Sequence, residues 1–397
     1  MNELSNRLSN LSPSATFAMS QKSAELKASG VDVINMSVGE PDFDTPDHIK
    51  EAAKAAIDAN WSRYSPVTGY NDLKDAIIAK LSKENGLTFK RSQIIISNGA
   101  KQSITNTVLA LVNPGDEVII PAPYWVSYPQ MVKLAEGTPV ELPTFIENDF
   151  KITPAQLEAA ITPRTKLIIL CSPSNPTGSV YSAAELEALA AVVTAHEGVY
   201  VISDEIYEHI NYIGGHTSIA SFPGMADRTI VINGVSKAYA MTGWRIGFSA
   251  SPEWIAKGIN MLQGQYTSGP CSLSQRTALA AWNGDQQCVE TMRQAFERRR
   301  DLIVRLASAI PGLEVNVPQG AFYLFPKCSS FFGKRYGDRL ISSSTDLAMY
   351  LLEVGHVATV GGDAFGSPEC FRMSYATSDE NIIEALRRIA DALSQLV

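Results

Sequence analysis

From residue 93 onward the chain alternates short runs rich in β-branched residues with patterns typical of helices, and no other feature constrains its fold as strongly. Seven of these runs predict strands, at residues 93–97, 117–121, 138–142, 166–171, 199–203, 229–232 and 247–250. Two of the intervening helices have capping boxes, Thr153-x-x-Gln156 and Ser182-x-x-Glu185. Such alternation is typical of a parallel sheet covered by helices. We therefore predict an α/β fold with a mainly parallel seven-stranded sheet.

Beyond a long charged helix predicted over residues 286–310, the pattern changes to a smaller α+β unit. Its predicted strands are at residues 313–317, 320–325, 356–360 and 370–374, with helices over 344–353 and behind a Thr377-x-x-Glu380 capping box. Before the sheet we predict helices over residues 16–29 and 71–84, and a third that is capped by Thr45 with Pro46 in its first turn. A chain of 397 residues suits about two domains. We expect a large domain over residues 48–295 and a small domain formed by residues 1–47 and 296–397.

The composition excludes several classes of function. A net charge of −8 argues against a general affinity for nucleic acid or for anionic membranes. Because the chain lacks both a signal-peptide pattern and an apolar stretch long enough to span a membrane, we expect a cytoplasmic protein. The five scattered cysteines favour reduced, mostly buried thiols. The five histidines show no metal-ligand spacing, so we expect them to be structural or exposed and predict no metal site.

Polar residues directly follow several predicted strands, and the carboxyl ends of parallel strands are where open sheets bind ligands. Gly99 follows the first strand and is succeeded by Ala100 and Lys101 at the start of a predicted helix. Backbone N–H groups at a helix N-terminus attract phosphate. The hydroxyl of Ser236 and the guanidinium of Arg245 can add further hydrogen-bond donors to the same phosphate. These residues predict a phosphate site.

A second group of residues suits an aromatic aldehyde. Lys237 can hold such a cofactor covalently, and Asp204 can keep a pyridine nitrogen protonated. Tyr207 and Asn175 can donate to a phenolate oxygen on the ring, while Trp125 can stack on its face. Together with the phosphate site, these residues predict a pyridoxal phosphate site.

Motifs spread almost from end to end carry a family resemblance. They are Gly39-Glu40-Pro41-Asp42-Phe43, Tyr64, Ser172-Pro173-Ser174-Asn175-Pro176-Thr177-Gly178, Ser203-Asp204-Glu205-Ile206-Tyr207, Ser236-Lys237, Gly243-Trp244-Arg245-Ile246-Gly247 and Arg372-Met373-Ser374-Tyr375. With these motifs the chain resembles the class I aminotransferases of fold type I. It is most similar to the bacterial aspartate aminotransferase subgroup, whose members include prephenate aminotransferases.

The resemblance implies further roles. Arg372 would hold the substrate α-carboxylate, together with Asn175, Trp125 and the backbone of Gly39. Tyr64 would reach the cofactor phosphate of a neighbouring subunit, which implies a homodimer with shared active sites. Lys101 and Thr16 would bind the second carboxylate of a dicarboxylic substrate.

The implied reaction moves the amino group of L-aspartate to 2-oxoglutarate in a ping-pong cycle, giving oxaloacetate and L-glutamate, with prephenate as a further acceptor. In the better known aspartate aminotransferases a partner arginine binds the side-chain carboxylate, whereas residues 263–268 of this chain contain no arginine. Lys101 would then act as a point charge without a guanidinium fork. Strict specificity for aspartate is therefore not implied.

Several alternatives stay open. An aminotransferase for aromatic or other neutral amino acids, a lyase or synthase on the same cofactor, and a non-catalytic binding or regulatory protein all fit this fold. A nicotinamide oxidoreductase fits less well, because the chain lacks the dinucleotide-binding motif G-x-G-x-x-G after a strand. A nucleoside triphosphatase also fits less well, because the chain lacks the P-loop motif G-x-x-x-x-G-K-[ST].

Overall fold

The computed structural model describes residues 5–397 and contains the predicted central sheet. Its strands are β1 (Ile94–Ser97), β2 (Glu117–Ala122), β3 (Thr138–Pro143), β4 (Thr165–Cys171), β5 (Tyr200–Asp204), β6 (Thr229–Gly234) and β7 (Gly247–Ala250). Their spatial order is β1-β7-β6-β5-β4-β2-β3. Strand β7 runs antiparallel to both β1 and β6, and every other pairing is parallel. The prediction of a mainly parallel seven-stranded sheet is confirmed.

Helices cover both faces of this sheet. They span Asp47–Asp58, Asn71–Asn85, Ala100–Leu111, Tyr128–Leu134, Pro154–Ala160, Ala183–Ala195, Glu253–Tyr266, Ser272–Asn283 and Gln287–Ser308. Successive strand residues alternate between the two layers: Ile95 packs in the same buried cluster as Ile104, whereas Ile94 and Ile96 pack with Ile77 on the other side. Because both faces are covered, the central strands are mostly apolar, whereas the edge strand β3 is partly exposed and contains Glu141.

The capping predictions have mixed outcomes. The boxes at Thr153 and Ser182 are confirmed, since both side chains accept the expected backbone N–H bonds. The prediction that Thr45 caps a helix is wrong: its hydroxyl donates 2.8 Å to the Ala240 carbonyl, and the helix begins at Asp47. The last helix is capped by Ser378 rather than Thr377. A capping motif in the sequence does not show whether a neighbouring hydroxyl, such as that of Ser378, caps the helix instead. Nor does it show whether the hydroxyl, such as that of Thr45, bonds to another part of the fold.

The smaller α+β unit contains the helices Ser344–Glu353 and Asp379–Ser394. Strands Val360–Gly361, Phe371–Ser374 and Tyr323–Leu324 form an antiparallel sheet, while Ile34–Asn35 pairs with Val357–Ala358 and Arg335–Tyr336 with Arg339–Leu340. The strand predicted over 313–317 is wrong, because only Glu314 forms an isolated bridge there. The strand predicted over 356–360 is divided into two, since its halves pair with different partners. At the N-terminal side, helices span Asn6–Ser9 and Ala15–Ala28.

The remaining single turns of 3₁₀ helix are at Arg91–Gln93, Ile146–Asn148, Ile219–Ser221, Thr242–Trp244, Ser329–Phe331 and Gly362–Phe365. All five cysteines are free thiols, but only Cys328 and Cys370 are buried, so the expectation of mostly buried thiols is wrong. Within residues 5–397, no helix combines the length and apolar character needed to cross a bilayer.

Candidate active site

A cavity of about 670 Å³ opens at the carboxyl ends of the central strands and is closed on its other side by the smaller unit. Twelve predicted site residues line it: Thr16, Gly39, Ala100, Lys101, Trp125, Asn175, Asp204, Tyr207, Ser236, Lys237, Arg245 and Arg372. Gly99 lies directly behind Ala100 and contacts Arg245. Tyr64 is not among the lining residues. Most of the residues predicted from the sequence therefore converge on one cavity.

Lys237 follows β6 and points into the cavity. Its Nζ donates a 2.6 Å hydrogen bond to the Gly39 carbonyl. Burial lowers the pKa of Lys237 to about 8, with the Arg372 and Arg245 charges acting in the same direction and Glu40 opposing them. An amine with a lowered pKa is a better nucleophile and base near neutral pH than a surface lysine.

Asp204 ends β5 and is buried at the floor of the cavity. Its Oδ2 accepts a 2.5 Å hydrogen bond from the Tyr128 hydroxyl, and its Oδ1 accepts from the backbone N–H of Ile206 at 3.3 Å. Burial raises the pKa of Asp204 to about 6, although the Tyr128 bond opposes that rise. A buried carboxylate of this kind is suited to a cationic ring nitrogen. Sequence reasoning missed Tyr128; its position three residues after Trp125, at a helix start, was the available signal.

The hydroxyls of Tyr207 and Tyr323 lie 2.7 Å apart, and both side chains are buried. Burial raises the pKa of Tyr207 well above its usual range. Tyr323 belongs to a two-residue strand of the smaller unit and was not among the predicted site residues. An aromatic residue in an apolar strand is indistinguishable in sequence from one in a core.

The phosphate site has a preformed geometry. Gly99, with φ +81°, precedes the helix Ala100–Leu111, and a Cβ at this position would overlap the Arg245 guanidinium. Arg245 has a left-handed φ of 57° and donates to the carbonyls of Thr242 (2.9 Å) and Asn98 (3.2 Å). Backbone N–H groups, the helix dipole and a guanidinium thus converge on one place, as anion binding requires.

Arg372 carries a second cation into the cavity. It is 2% exposed, and its guanidinium donates 2.9 Å to Asn175 Oδ1 and 2.6 Å to the Ser37 carbonyl. Its Nε has no partner among the described residues, and none of their carboxylates forms an ion pair with it. Because a buried unpaired charge is costly, this arrangement is suited to an anionic ligand.

Lys101, Trp125 and Thr16 also line the cavity. The Lys101 ammonium is 5.0 Å from the centre of the Trp125 ring. Partial desolvation and the neighbouring Arg245 charge lower the pKa of Lys101. Tyr64 is fully exposed outside the cavity, so its predicted contact with a neighbouring subunit stays a prediction.

The family model described as aminotransferase class I and II matches residues 31–389. The chain belongs to the class I and II aminotransferases. It is 50% identical over 389 residues to the aspartate/prephenate aminotransferase of Cereibacter sphaeroides, with 97% of each protein covered. The aspartate aminotransferase from Rhizobium meliloti has a similar structure (TM-score 0.96, 44% identity, 100% of both chains). So does that from Thermus thermophilus with maleate (TM-score 0.92, 41% identity, 99% and 100% of the two chains).

The cavity of this aminotransferase fits pyridoxal phosphate, on which the family depends. Lys237 supplies an amine with a lowered pKa, and Asp204 supplies a buried carboxylate. The cradle of Gly99 and Arg245 is shaped for a phosphate. Amine, carboxylate and anion site all face one cavity of sufficient volume.

A buried ionic cluster in this aminotransferase involves residues 203–208, the segment that also carries Asp204 and Tyr207. Glu208 forms a short ion pair with Lys80, and both side chains are at most 5% exposed. Asn233 Nδ2 and Asn85 Nδ2 donate to Glu208 at 2.6 and 2.8 Å. Burial raises the pKa of Glu208, but the charges of Lys80, His209 and His216 together with the Lys80 hydrogen bond outweigh it, and the pKa is held at about 2.

Glu205 extends this cluster. Its Oε1 accepts hydrogen bonds from the Ser203 (2.7 Å) and Ser218 (2.5 Å) hydroxyls, and its Oε2 lies 3.0 Å from His216 Nε2. Burial lowers the pKa of His216, but the Glu205 carboxylate and the charge of Glu208 together outweigh this and raise the pKa overall. Glu205 and Glu208 therefore anchor the segment whose other residues, Asp204 and Tyr207, face the cavity.

The expectation that the histidines lack a metal-like arrangement is wrong for two of them. His209 lies with Glu84 and Glu208, and His216 with Glu205 and Glu208, with possible ligand atoms within 4.8 Å. Glu84 is far in sequence from Glu208 and His209, and neither group has the regular spacing of a known metal-binding motif, so the sequence does not indicate these clusters. The Lys80 ammonium already supplies a cation at Glu208, and the prediction of no metal stays a prediction.

Proposed function

We propose that the protein transfers the amino group of L-aspartate to 2-oxoglutarate in a ping-pong cycle with pyridoxal phosphate. The observation that carries the proposal is one cavity in which an amine of lowered pKa, a buried carboxylate and an unpaired buried guanidinium face each other. The names of the relatives support the choice of aspartate and of a second substrate, prephenate.

The cofactor residues follow from their chemistry. The backbone at Gly99, Ala100 and Lys101, with Ser236 and Arg245, would hold the phosphate. Asp204 would face the ring nitrogen, Tyr207 and Asn175 the ring oxygen, and Trp125 the ring face. Bound pyridoxal phosphate supplies an electron sink for the charge left when a substrate loses its Cα proton.

Lys237 Nζ is the base in this proposal and takes the proton from the substrate Cα. Its pKa of about 8 leaves part of the amine unprotonated near neutral pH, whereas an ordinary lysine is almost wholly charged. The hydrogen bond from Nζ to the Gly39 carbonyl shows that the side chain reaches the cavity wall beside the proposed α-carboxylate site. Asp204 stays ionised against a cationic partner, because an opposite charge lowers a carboxyl pKa.

Substrate recognition would use two cationic groups. Arg372, with Asn175 and the Gly39 backbone, would hold the α-carboxylate common to all substrates. Lys101 and Thr16 would bind the second carboxylate of a dicarboxylic acid. A lysine ammonium is a point charge and lacks the two parallel hydrogen bonds that an arginine guanidinium forms with a carboxylate. It therefore constrains the position of the second carboxylate less strictly, which suits both aspartate and the larger prephenate.

We also propose a cytoplasmic homodimer in which Tyr64 reaches the cofactor phosphate of the partner. The full exposure of the Tyr64 ring, with Tyr266 (56% exposed) and Trp61 (37% exposed) also on the surface, supports an interface.

The proposed large domain of residues 48–295 and small domain of residues 1–47 and 296–397 divide within the helix Gln287–Ser308. Residues 1–4 of the small domain lie outside the described residues.

The test is a set of half-reactions of the cofactor-loaded protein with L-aspartate, L-glutamate, L-phenylalanine and arogenate, followed by visible absorbance. We expect conversion by the dicarboxylic amino acids and by arogenate, and none in Lys237→Ala. Lys101→Ala should slow aspartate selectively, whereas Lys257→Ala, which changes an exposed lysine outside the cavity, serves as the matched control. An absence of conversion by every amino acid would contradict the proposal, and faster conversion of phenylalanine than of aspartate would favour an aromatic aminotransferase.

A further inference from the structure

The hydroxyl pair of Tyr207 and Tyr323 joins two parts of the molecule. Tyr207 follows β5 of the central sheet, whereas Tyr323 lies on the strand Tyr323–Leu324 of the smaller unit and pairs with Ser374. The two oxygens are 2.7 Å apart, so one hydroxyl donates a hydrogen bond to the other. Among the described residues neither hydroxyl has another hydrogen-bond partner. Which tyrosine donates therefore decides whether the Tyr207 proton is available to the cavity.

The surroundings of Tyr323 make it the donor. The Arg372 guanidinium lies 4.6 Å from the centre of the Tyr323 ring, so a cation stabilises negative charge on that phenol. The Tyr323 oxygen also packs against Gly39 so closely that a Cβ there would overlap it. If Tyr323 did not donate to Tyr207, its proton would be buried without an acceptor.

The direction of the acidities agrees with this geometry. Burial raises the pKa of Tyr323, but Arg372 and the bond to Tyr207 oppose the rise. Burial raises the pKa of Tyr207 well above its usual range. The more acidic phenol is the better donor, and an O–H that also accepts a hydrogen bond becomes a stronger donor itself.

We propose that Tyr323 is a positioning residue that donates its proton to Tyr207 and thereby directs the Tyr207 proton into the cavity. This inference rests on the proposed function, in which that proton meets the cofactor ring oxygen. Tyr323 itself is assigned no contact with the reacting atoms. It acts by making Tyr207 a stronger donor with a fixed direction.

The readout is the pH midpoint of the visible absorbance change of the cofactor-loaded protein. A hydrogen bond to the ring oxygen stabilises the unprotonated form of the cofactor–lysine linkage, because in the protonated form the linkage proton already neutralises that oxygen. A weaker donor therefore raises the midpoint. The charged groups that face Lys237, namely Glu40, Asp204, Arg245 and Arg372, are unchanged in every tyrosine variant.

We expect Tyr207→Phe to raise the midpoint by about 1 pH unit and Tyr323→Phe by about 0.5, since a net hydrogen bond corresponds to roughly one unit. The double variant should match Tyr207→Phe alone, because Tyr323 acts only through Tyr207. Tyr375→Phe is the matched control: its buried hydroxyl donates to the Ala321 carbonyl outside the cavity, and its midpoint should equal that of the wild type. Tyr323→3-fluorotyrosine, a stronger donor, should lower the midpoint.

An unchanged midpoint in Tyr323→Phe, or additive shifts in the double variant, would overturn the inference. A downward shift would show instead that Tyr207 donates to Tyr323. Should Tyr323→Phe fail to fold, the direction of the fluorotyrosine shift decides. A wild-type protein without a titrating band, or a band that persists in Lys237→Ala, would overturn the proposed function itself, which distinguishes the two failures.

Discussion

Replacing Lys80 by methionine tests whether the buried ion pair with Glu208 stabilises residues 203–208, the segment that carries Asp204 and Tyr207. Methionine has a similar length and keeps the packing of the aliphatic stem, but it removes the ammonium that pairs with Glu208. Glu208 is 3% exposed, so its carboxylate cannot recover the lost interaction from water. The variant therefore leaves a buried charge without its counterion.

Breaking a buried ion pair from one side costs about 3–5 kcal/mol. Here the carboxylate keeps the bonds from Asn233 (2.6 Å) and Asn85 (2.8 Å), which partly compensate it. We therefore expect the free energy of unfolding to fall by about 3 kcal/mol, the lower end of that range. Local destabilisation of the segment that bears Asp204 and Tyr207 should also weaken cofactor binding.

The assay is urea unfolding of the cofactor-free protein at pH 7, followed by fluorescence and circular dichroism. Lys54→Met is the matched control, because Lys54 pairs with Glu51 at 2.6 Å on the surface, with both side chains more than 60% exposed, and should leave stability unchanged. The double variant Lys80→Met/Glu208→Gln should recover most of the loss. A Lys80→Met protein as stable as Lys54→Met would refute the reasoning, as would a double variant no more stable than the single one.

Three further predictions follow from other residues. The depressed pKa of Glu208 contributes stability above its ordinary pKa of 4.5 and loses it as pH falls towards about 2; Glu208→Gln should therefore flatten the acid limb of the unfolding free energy between these values. Arg372→Ala should raise KM for every amino acid substrate, with a loss of about 100-fold in kcat/KM from two charge-assisted bonds, and an equal kcat/KM would contradict its role. Gly99→Ala requires a backbone conformation that costs about 1–3 kcal/mol and places a Cβ against the Arg245 guanidinium, so a pyridoxal phosphate titration should show about 5- to 150-fold weaker binding, whereas Gly258→Ala on a helix should bind normally.

The sequence predicted most of the central sheet and twelve of the residues that line its cavity, because both depend on local signals. A strand such as β4 is buried on both faces and therefore reads as a continuous apolar run, and Asp204 stands out because it ends such a run. The antiparallel direction of β7 was not predicted. Its four residues are as fully buried as those of its neighbours, and only tertiary packing decides which way they run.

Other features depended on partners far away in sequence. Tyr128 and Tyr323 belong to the site because of the residues that their hydroxyls meet, Asp204 and Tyr207, and an aromatic residue in an apolar segment gives no hint of that. Thr45 could not be recognised as a partner of Ala240, 195 residues away. Where a side chain bonds across the fold, local motifs are a weak guide.

The reversed strand β7 also determines when this site can exist. Ser97 at the end of β1 pairs with Gly247, 150 residues later, and the antiparallel course of β7 is what brings Gly247 against Ala100. Strand β1 and the helix after it leave the ribosome early, yet they have no neighbour in the sheet until β7 has been synthesised. A nascent chain that stops short of residue 250 therefore carries an unpaired apolar strand and no phosphate cradle. We therefore expect affinity for the cofactor only after sheet closure has buried that strand.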